Sequence, residues 1–589
     1  MTQIGPKTAM SNQLHGMKYR GLNENFEEAI NRVAFGLADN GPHYHALRDV
    51  LLPQRFCPGG RIQGAIGASR QTTAFNCYVS GTIEDSLYEG EGSIMNRLGE
   101  SAQTSKLGGG IGYDFSPLRP RGYRVKKIET NATGPVTFME FYNITGLTIA
   151  SAGHRRGAQM AILRVDHPDV EEFVRAKQKP GALEGFNISV AVTDAFMEAV
   201  YADALFPLSF GGIVDREIRA GDLWQKIMRS TWDWAEPGVF YVDAVNRMNN
   251  LYYCETIAAC NPCGEQPLPP YGACLLGSFN LPKYLITQPV TDQNSASQEA
   301  HHTEHGHRPY SFDYDQLKAD IPHVVRGMDN VNDRSVYPLA QQREEARSKR
   351  RMGLGVMGLA NAGEALGHPY GSPPFIEFEQ QVLMIIRDEC YRASANLAVE
   401  KGAFPRYDAE RYLNGAFIKT LSEDVYELIK KNGIRNSHLT SIAPTGTISL
   451  CADNVSGGIE PVFAYEVERP VNTPDGRINV RVADYGVEEL GVRGKLSRDV
   501  TPAEHVAVLV TAQRYVDSAV SKTCNVTGAC QWDEFTGIYA EVHRKGGKGC
   551  TTFNKDGLRG ALLAEAGGPA TTDDGPSCAV DESGRRSCE

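Results

Sequence analysis

Cys260-Asn261-Pro262-Cys263-Gly264-Glu265-Gln266 sets two thiols, an amide and a carboxylate in one short segment, and Pro267, Pro269 and Pro270 follow at once. These residue types suit hydrogen-atom and proton abstraction. A thiol can pass a hydrogen atom, a carboxylate can take a proton, and an amide can hold a polar substrate. In an extended loop alternate residues face the same way, so Asn261, Cys263 and Glu265 should converge on one substrate, and the prolines supply the rigidity that a catalytic loop needs. Two other chemistries compete for the Cys260/Cys263 pair. A thioredoxin-like site wants a βαβ frame and a zinc knuckle wants a second C-x-x-C, and neither surrounds it, although Cys254 and Cys274 lie near.

Other motifs read more plainly. Gly353-Leu-Gly-Val-Met-Gly358 matches G-x-G-x-x-G, but it follows the charged run Arg343 to Arg351 instead of a buried strand, so dinucleotide binding is not expected. The basic run itself reads as a solvated helix face. His301, His302, His305 and His307 fall in a polar stretch near 287–310, which reads as a solvated insertion before it reads as a zinc site. Cys390 lies on an apolar helical stripe and reads as core; Cys57, Cys254, Cys260, Cys451, Cys524, Cys530 and Cys550 take the same reading.

The elements that must position the loop alternate strand-length apolar runs with helical stripes. Ile188, Val190 and Val192 alternate with Ser189 and Ala191, Val239 to Val242 is a short β-type run, and Leu223, Ile227 and Trp234 mark a helix before it. Leu383, Ile386, Cys390, Ala393 and Leu397 make another stripe, stopped by Gly402. The pattern is α/β. Residues 1–22 are polar and read as loosely ordered, so the first firm element is a helix near 26–38, opened by a capping box of Asn25 and Glu28. Residues 559–589 have no apolar periodicity and read as a mobile tail, yet they hold Cys578 and Cys588, for which a redox role is the natural reading.

A chain of 589 residues with 41% hydrophobic and 22% charged residues can bury a large core, as several domains or as one large α/β barrel with appendages. The net charge of −11 excludes a global positive field for nucleic acid or an anionic membrane, so phosphates must be bound locally. With no signal-type start and no membrane-length apolar run, a cytoplasmic protein is expected, and its 13 cysteines read as thiols.

Five motifs in order then resemble the catalytic subunit of ribonucleotide reductase, most closely its adenosylcobalamin-dependent, class II form: Pro58-Gly-Gly-Arg-Ile62, Asn76-Cys77, Leu107-Gly-Gly-Gly-Ile-Gly-Tyr113, Asn261-Pro-Cys-Gly-Glu-Gln266 and Ala443-Pro-Thr-Gly-Thr-Ile-Ser449. Leu275, after Cys274, departs from the small amide expected of relatives. The resemblance implies a ten-stranded α/β barrel over 51–558, with 1–50 as a short helical segment lacking an ATP cone and 559–589 as a redox-active tail. Cys263 would be the thiyl radical, Glu265 the base on the 3′ hydroxyl, and Asn261 the residue that orients the sugar. Cys77 and Cys274 would supply a proton and two electrons, ending as a disulfide that Cys578 and Cys588 reset.

The same resemblance places substrate contacts at Asn76, Gly110, Pro262 and Gly264 beside those residues, with the substrate phosphates at Pro444, Thr445, Gly446, Thr447 and Ile448. It places a deoxynucleotide effector at Asp85, Ser86, Leu87 and Arg119, and a relay loop at 151–158 with His154 and Arg155. Class I subunits carry paired tyrosines near the end of the barrel, where this chain reads Gly549-Cys-Thr-Thr-Phe-Asn-Lys-Asp-Gly557. That favours adenosylcobalamin as the cofactor. No residue is assigned as its ligand, because D-x-H-x-x-G is missing, and no protein-bound metal is expected. The implied partners are a ribonucleotide, the effector and a thioredoxin-type reductant, and a homodimer is compatible. The alternatives are a class I subunit needing a metal-radical partner, a nucleotide-binding regulator without turnover, and a zinc-binding structural module.

Overall fold

The computed structural model describes residues 4–125, 128–151, 155–156, 158–288, 310–473, 476–558, 579–580 and 586–587. Thr8 caps a helix over Ala9–Tyr19, and the backbone amides of Lys7 and Thr8 donate to the Asp453 carboxylate at 2.9 Å. The expectation of a loose N-terminus is therefore wrong from residue 4 onward. The segment shows no apolar stripe because its docking is polar and long-range: Ser11 and His15 are buried, and His15 meets Gln63 at 3.0 Å.

The helix Phe26–Leu37 starts at the Asn25/Glu28 capping box as its sequence predicts. With Gly41–Leu51 it buries its apolar face in the same core as the helix Tyr314–Arg334. The stripes around Leu223 and Leu383 form helices Ala220–Trp234 and Pro373–Lys401, the second ended by Gly402 at φ +78°.

An eight-stranded sheet runs in the order Ala273–Cys274, Cys77–Val79, Gly110–Asp114, Gln159–Arg164, Phe186–Val192, Gly238–Tyr241, Gly549–Asn554, Thr523–Val526. The five inner neighbours from Cys77–Val79 to Gly238–Tyr241 are parallel, and most of their residues are buried, as expected of strands covered on both faces. A separate three-stranded sheet joins Phe56–Pro58, Leu276–Asn280 and Gly353–Met357. Leu275 links the two, since Cys274 ends one edge strand and Leu276 starts the next. Single bridges, Leu354 to Thr440 and Ile442 to Val520, continue from there. Among the described residues the regular ladders do not close a ring of ten strands. The mixed α/β layering is as expected; the closed ten-stranded barrel is not what these ladders form.

Gly353–Met357 is itself a buried strand, so the G-x-G-x-x-G match has a packing origin. A Cβ on Gly355 would lie 2.1 Å from the Ser441 carbonyl oxygen, and one on Gly353 2.3 Å from Gln266 Nε2. The basic run needs a correction. Its first half is exposed on the helix Ala340–Lys349, but Lys349, Arg350 and Arg351 are buried, where Glu255, Asp329 and Asp333 pair with them. Periodicity could not show carboxylates arriving from distant segments.

Residues 289–309, with the four histidines, lie outside the described residues; the paired strands Leu285–Thr287 and Tyr310–Phe312 flank them. Cys578 and Cys588 also lie outside. The described part of the tail pairs Ala579 with Ser587 and Val580 with Arg586, and Arg586–Ser587 lies against the short helix Gly446–Leu450. Among the described residues no helix is long and apolar enough to cross a membrane.

Candidate active site

The loop at 261–266 is a finger between two short antiparallel strands, Ala259–Cys260 and Pro267–Leu268. It is not extended. Gly264 N donates to the Asn261 carbonyl at 3.0 Å, closing a turn, and Gly264 sits at φ +84°, where any L side chain is strained. Asn261 braces that turn with its own side chain, Oδ1 accepting from Gln266 N at 2.8 Å. Convergence thus comes from a tight turn rather than from strand alternation. Asn261 and Glu265 are buried at its base, and Cys263 stands half-exposed at its tip.

Glycines in the sheet make room for the finger. A Cβ on Gly112 would fall 1.8 Å from the Cys260 carbonyl oxygen. One on Gly110 would meet Cys77 Sγ at 3.2 Å and Pro262 Cγ at 3.3 Å. So the Leu107–Tyr113 motif is glycine-rich because the finger lies on the strand Gly110–Asp114. Residues with no motif hold the rest. Asn187 Nδ2 donates to the Pro262 carbonyl at 2.9 Å, and Ser441 Oγ and Ala519 N both donate to the Glu265 carbonyl at 2.9 Å. Sequence reading missed these three, since only the tertiary fold brings them to the loop.

Cys77 and Cys274 are direct antiparallel partners. Such partners stand about 4.5–5.5 Å apart at Cα, within the span of about 4.4–6.8 Å that a disulfide bridges. Both thiols are buried in an apolar pocket with Met160, Phe240, Cys260 and Ala443. Burial pushes the Cys274 thiol up, and Cys77, Glu265 and Cys263 add to the shift, so Cys274 stays protonated at neutral pH. Asn76 links the strands, its N–H donating to the Cys274 carbonyl at 3.3 Å and its carbonyl accepting from Gly110 N at 3.0 Å. Asn76 Oδ1 and Asn261 Nδ2 are buried with no hydrogen-bond partner among the described residues. Buried polar atoms are normally satisfied, so each leaves hydrogen-bonding capacity that a polar ligand could fill.

Residues 75–553 match the family described as ribonucleotide reductase, barrel domain. The chain belongs to the ribonucleotide reductase family. It is 35% identical to the vitamin B12-dependent ribonucleoside-diphosphate reductase of Mycobacterium tuberculosis (strain CDC 1551 / Oshkosh), over 83% of this chain and 69% of that protein. It is 31% identical to the protein of the same name from Thermoplasma acidophilum, over 90% of this chain and 68% of that one. Identity to the vitamin B12-dependent ribonucleotide reductase of Streptomyces clavuligerus is 26%, over 86% of this chain and 59% of that one.

Among the other positions expected of a ribonucleotide reductase, Pro444 to Ile448 follow directly on Ala443 in the thiol pocket. Thr445 holds φ +55° at the start of the helix Gly446–Leu450, and its hydroxyl accepts from Gly458 N at 2.8 Å. Asp85 and Arg119 meet, Nε to Oδ2 at 2.7 Å, with a second bond from Arg119 N at 3.2 Å. Ser86 and Leu87 accept backbone bonds from Ile94 and Met95 at the start of the helix Ile94–Lys106, and Leu87 is exposed. His154 and the Arg155 side chain lie outside the described residues. Of the cysteines read as core, Cys57, Cys260, Cys390, Cys451, Cys524 and Cys550 are buried, whereas Cys254 is exposed and Cys530 half-exposed. Those two sit in loops, at Leu251–Glu255 and before the helix Trp532–Arg544, where Cys530 still packs partly against the core.

Proposed function

We propose that this protein reduces ribonucleoside diphosphates to 2′-deoxyribonucleotides by a thiyl-radical mechanism that adenosylcobalamin starts. The observation that carries the reading is the juxtaposition of a half-exposed thiol on a braced finger with a buried, directly paired dithiol. The relatives known as vitamin B12-dependent ribonucleoside-diphosphate reductases support both the diphosphate and the cobalamin.

The residues fit an external radical source. Cys263 is half-exposed, and a Cβ on neighbouring Gly264 would meet nothing within 4 Å, so open space lies before the tip. That space would admit adenosylcobalamin, which would supply the radical chemistry, and Cys263 would give up its thiol hydrogen to become the thiyl. The strand Gly549–Asn554 offers buried Phe553 where a class I subunit would offer tyrosine, which favours this source over a metal-radical partner.

In this mechanism Cys263 removes the ribose 3′ hydrogen while Glu265 takes the 3′ hydroxyl proton, and Asn261 Nδ2 and Asn76 Oδ1 hold the sugar. Loss of the 2′ hydroxyl as water needs a proton, which the Cys77/Cys274 pair supplies; burial, which keeps Cys274 protonated, suits it to carrying that proton. The two thiols give up two electrons and become a disulfide, and Cys263 returns the hydrogen to C3′. Ribonucleotide and dithiol thus become deoxyribonucleotide, water and disulfide. The amides opening Gly446–Leu450, with the Thr445 and Thr447 hydroxyls, would receive the phosphates. Asp85, Ser86, Leu87 and Arg119 would form the effector site. The tail hairpin against Gly446–Leu450 supports Cys578 and Cys588 as the dithiol that exchanges with Cys77 and Cys274.

An anaerobic assay of the purified chain with a ribonucleoside diphosphate, a dithiol and adenosylcobalamin should yield deoxyribonucleotide. Activity that needs a second iron or manganese protein and ignores cobalamin would contradict the reading.

A further inference from the structure

The finger's far branch is held at one atom, the Glu265 carbonyl oxygen, by Ser441 Oγ and Ala519 N. The two segments that bring these donors have no regular ladder between them. They meet each other at the single bridge Ile442 to Val520, where Ile442 N donates to the Ala519 carbonyl at 3.1 Å and Ser521 N to the Ile442 carbonyl at 2.8 Å, and the first meets the strand Gly353–Met357 at the bridge Leu354 to Thr440. Before the clamp residues, the buried side chains of Asp517 and Lys548 add further bonds.

Asp517 is buried, and its carboxylate accepts from Leu439 N at 2.6 Å, Thr440 N at 3.2 Å, Tyr391 Oη at 2.7 Å and Ser518 Oγ at 3.2 Å. Its own N–H donates to Thr440 Oγ1 at 3.0 Å, and Ser518 N donates to the Thr440 carbonyl at 3.1 Å. Lys548, also buried, donates from Nζ to the carbonyls of Asp517 at 2.6 Å and Ser518 at 2.5 Å. These bonds fasten 439–440 to 517–518, and the next residue of each segment, Ser441 and Ala519, grips the Glu265 carbonyl. Burying an ionisable carboxyl and an amine carries a desolvation cost that apolar packing would avoid, so their presence beside the clamp calls for a role that packing cannot fill.

We infer that Asp517 and Lys548 are positioning residues: by holding the Ser441 and Ala519 clamp on the Glu265 carbonyl, they fix the Glu265 carboxyl against the ribose 3′ hydroxyl. This rests on the proposed role of Glu265 as the base. They touch no substrate and act through the finger.

The test uses the full chain with cobalamin and a 3′-deuterated ribonucleotide. Asp517→Asn keeps the shape but turns an N–H donor toward amides that need an acceptor. It should lower kcat at least tenfold, leave KM and nucleotide Kd within about twofold, and raise the deuterium isotope effect, because the step that Glu265 assists becomes slower. Tyr391→Phe, which removes one bond to the same carboxylate and buries no new polar group, should move kcat and the isotope effect in the same direction by less. Lys548→Arg should retain more activity than Lys548→Met. In a Glu265→Asp background, Asp517→Asn should add less than a twofold loss. A role confined to folding would lower the active fraction and leave the isotope effect unchanged, which would overturn the inference, as would full multiplication of the two effects. Near-normal turnover in Glu265→Gln would instead overturn the assignment of the base, and this inference with it.

Discussion

At the residue scale, the proposed chemistry turns on where each thiol stands. Cys263 is half-exposed at a turn held by Asn261, Asn187, Ser441 and Ala519, whereas Cys260, three residues earlier, is buried with its carbonyl pressed on Gly112. Cys263→Ser should therefore stop turnover, by 1000-fold or more, with nucleotide Kd little changed, because an O–H bond is too strong to relay the hydrogen atom; equilibrium binding beside a turnover assay checks both halves. Loss of turnover in Cys260→Ser with retention in Cys263→Ser would reverse the choice of thiol. Residue types and spacing made the finger legible, and the resemblance made Cys77 and Cys274 legible. Asn187 was not, because a lone asparagine in a strand sequence looks like any other until the fold sets its amide beside Pro262.

At the scale of elements, the glycines of Gly110–Asp114 and Gly353–Met357 are contact surfaces for other backbone, which is why a phosphate-loop pattern occurs in a strand. Gly112→Ala places a methyl 1.8 Å from the Cys260 carbonyl oxygen, so either the finger or the strand must move. Overpacking of this kind costs about 1–3 kcal/mol, and misplacing reacting groups by about 1 Å costs about 100-fold in rate. Thermal unfolding should show the first loss and kcat the second; wild-type kcat in Gly112→Ala would show that the finger does not depend on this contact. The bounds of the helix Phe26–Leu37 were readable from apolar spacing and its cap, and the presence of a helix at Ala220–Trp234 from its stripe. The separation into two sheets was not, since bridges such as Leu354 to Thr440 leave no periodic trace.

Across the whole molecule, the N-terminal helix is tied down by polar contacts whose state depends on pH. His15 accepts from Arg20 Nε at Nδ1, 3.1 Å, and meets Gln63 at Nε2, which fits the neutral ring. Burial, with Arg20 adding, lowers its pKa from 6.5 to about 4. The folded state binds the proton less readily than the unfolded chain, so this contribution to stability is whole above pH 6.5 and declines as pH falls toward 4. A shift of this size corresponds to about 3 kcal/mol. His15→Gln should flatten the melting temperature against pH over that window relative to wild type; an unchanged slope would show that His15 does not carry it. At the other end, the double change Cys578→Ser and Cys588→Ser should spare the first turnover of pre-reduced protein and stop cycling driven by thioredoxin, read as product per enzyme with time, whereas unimpaired cycling would remove the tail from the electron path. The central claim is that the electrons for one reduction come from the cross-strand pair. Pre-reduced protein should therefore be given one turnover with adenosylcobalamin and ribonucleotide, quenched with a thiol-blocking reagent, and mapped by mass spectrometry. A Cys77–Cys274 disulfide should form in step with each deoxyribonucleotide, with Cys263 recovered as the blocked thiol. Product formed while Cys77 and Cys274 remain reduced, or a disulfide joining Cys260 to Cys263 in their place, would contradict that claim.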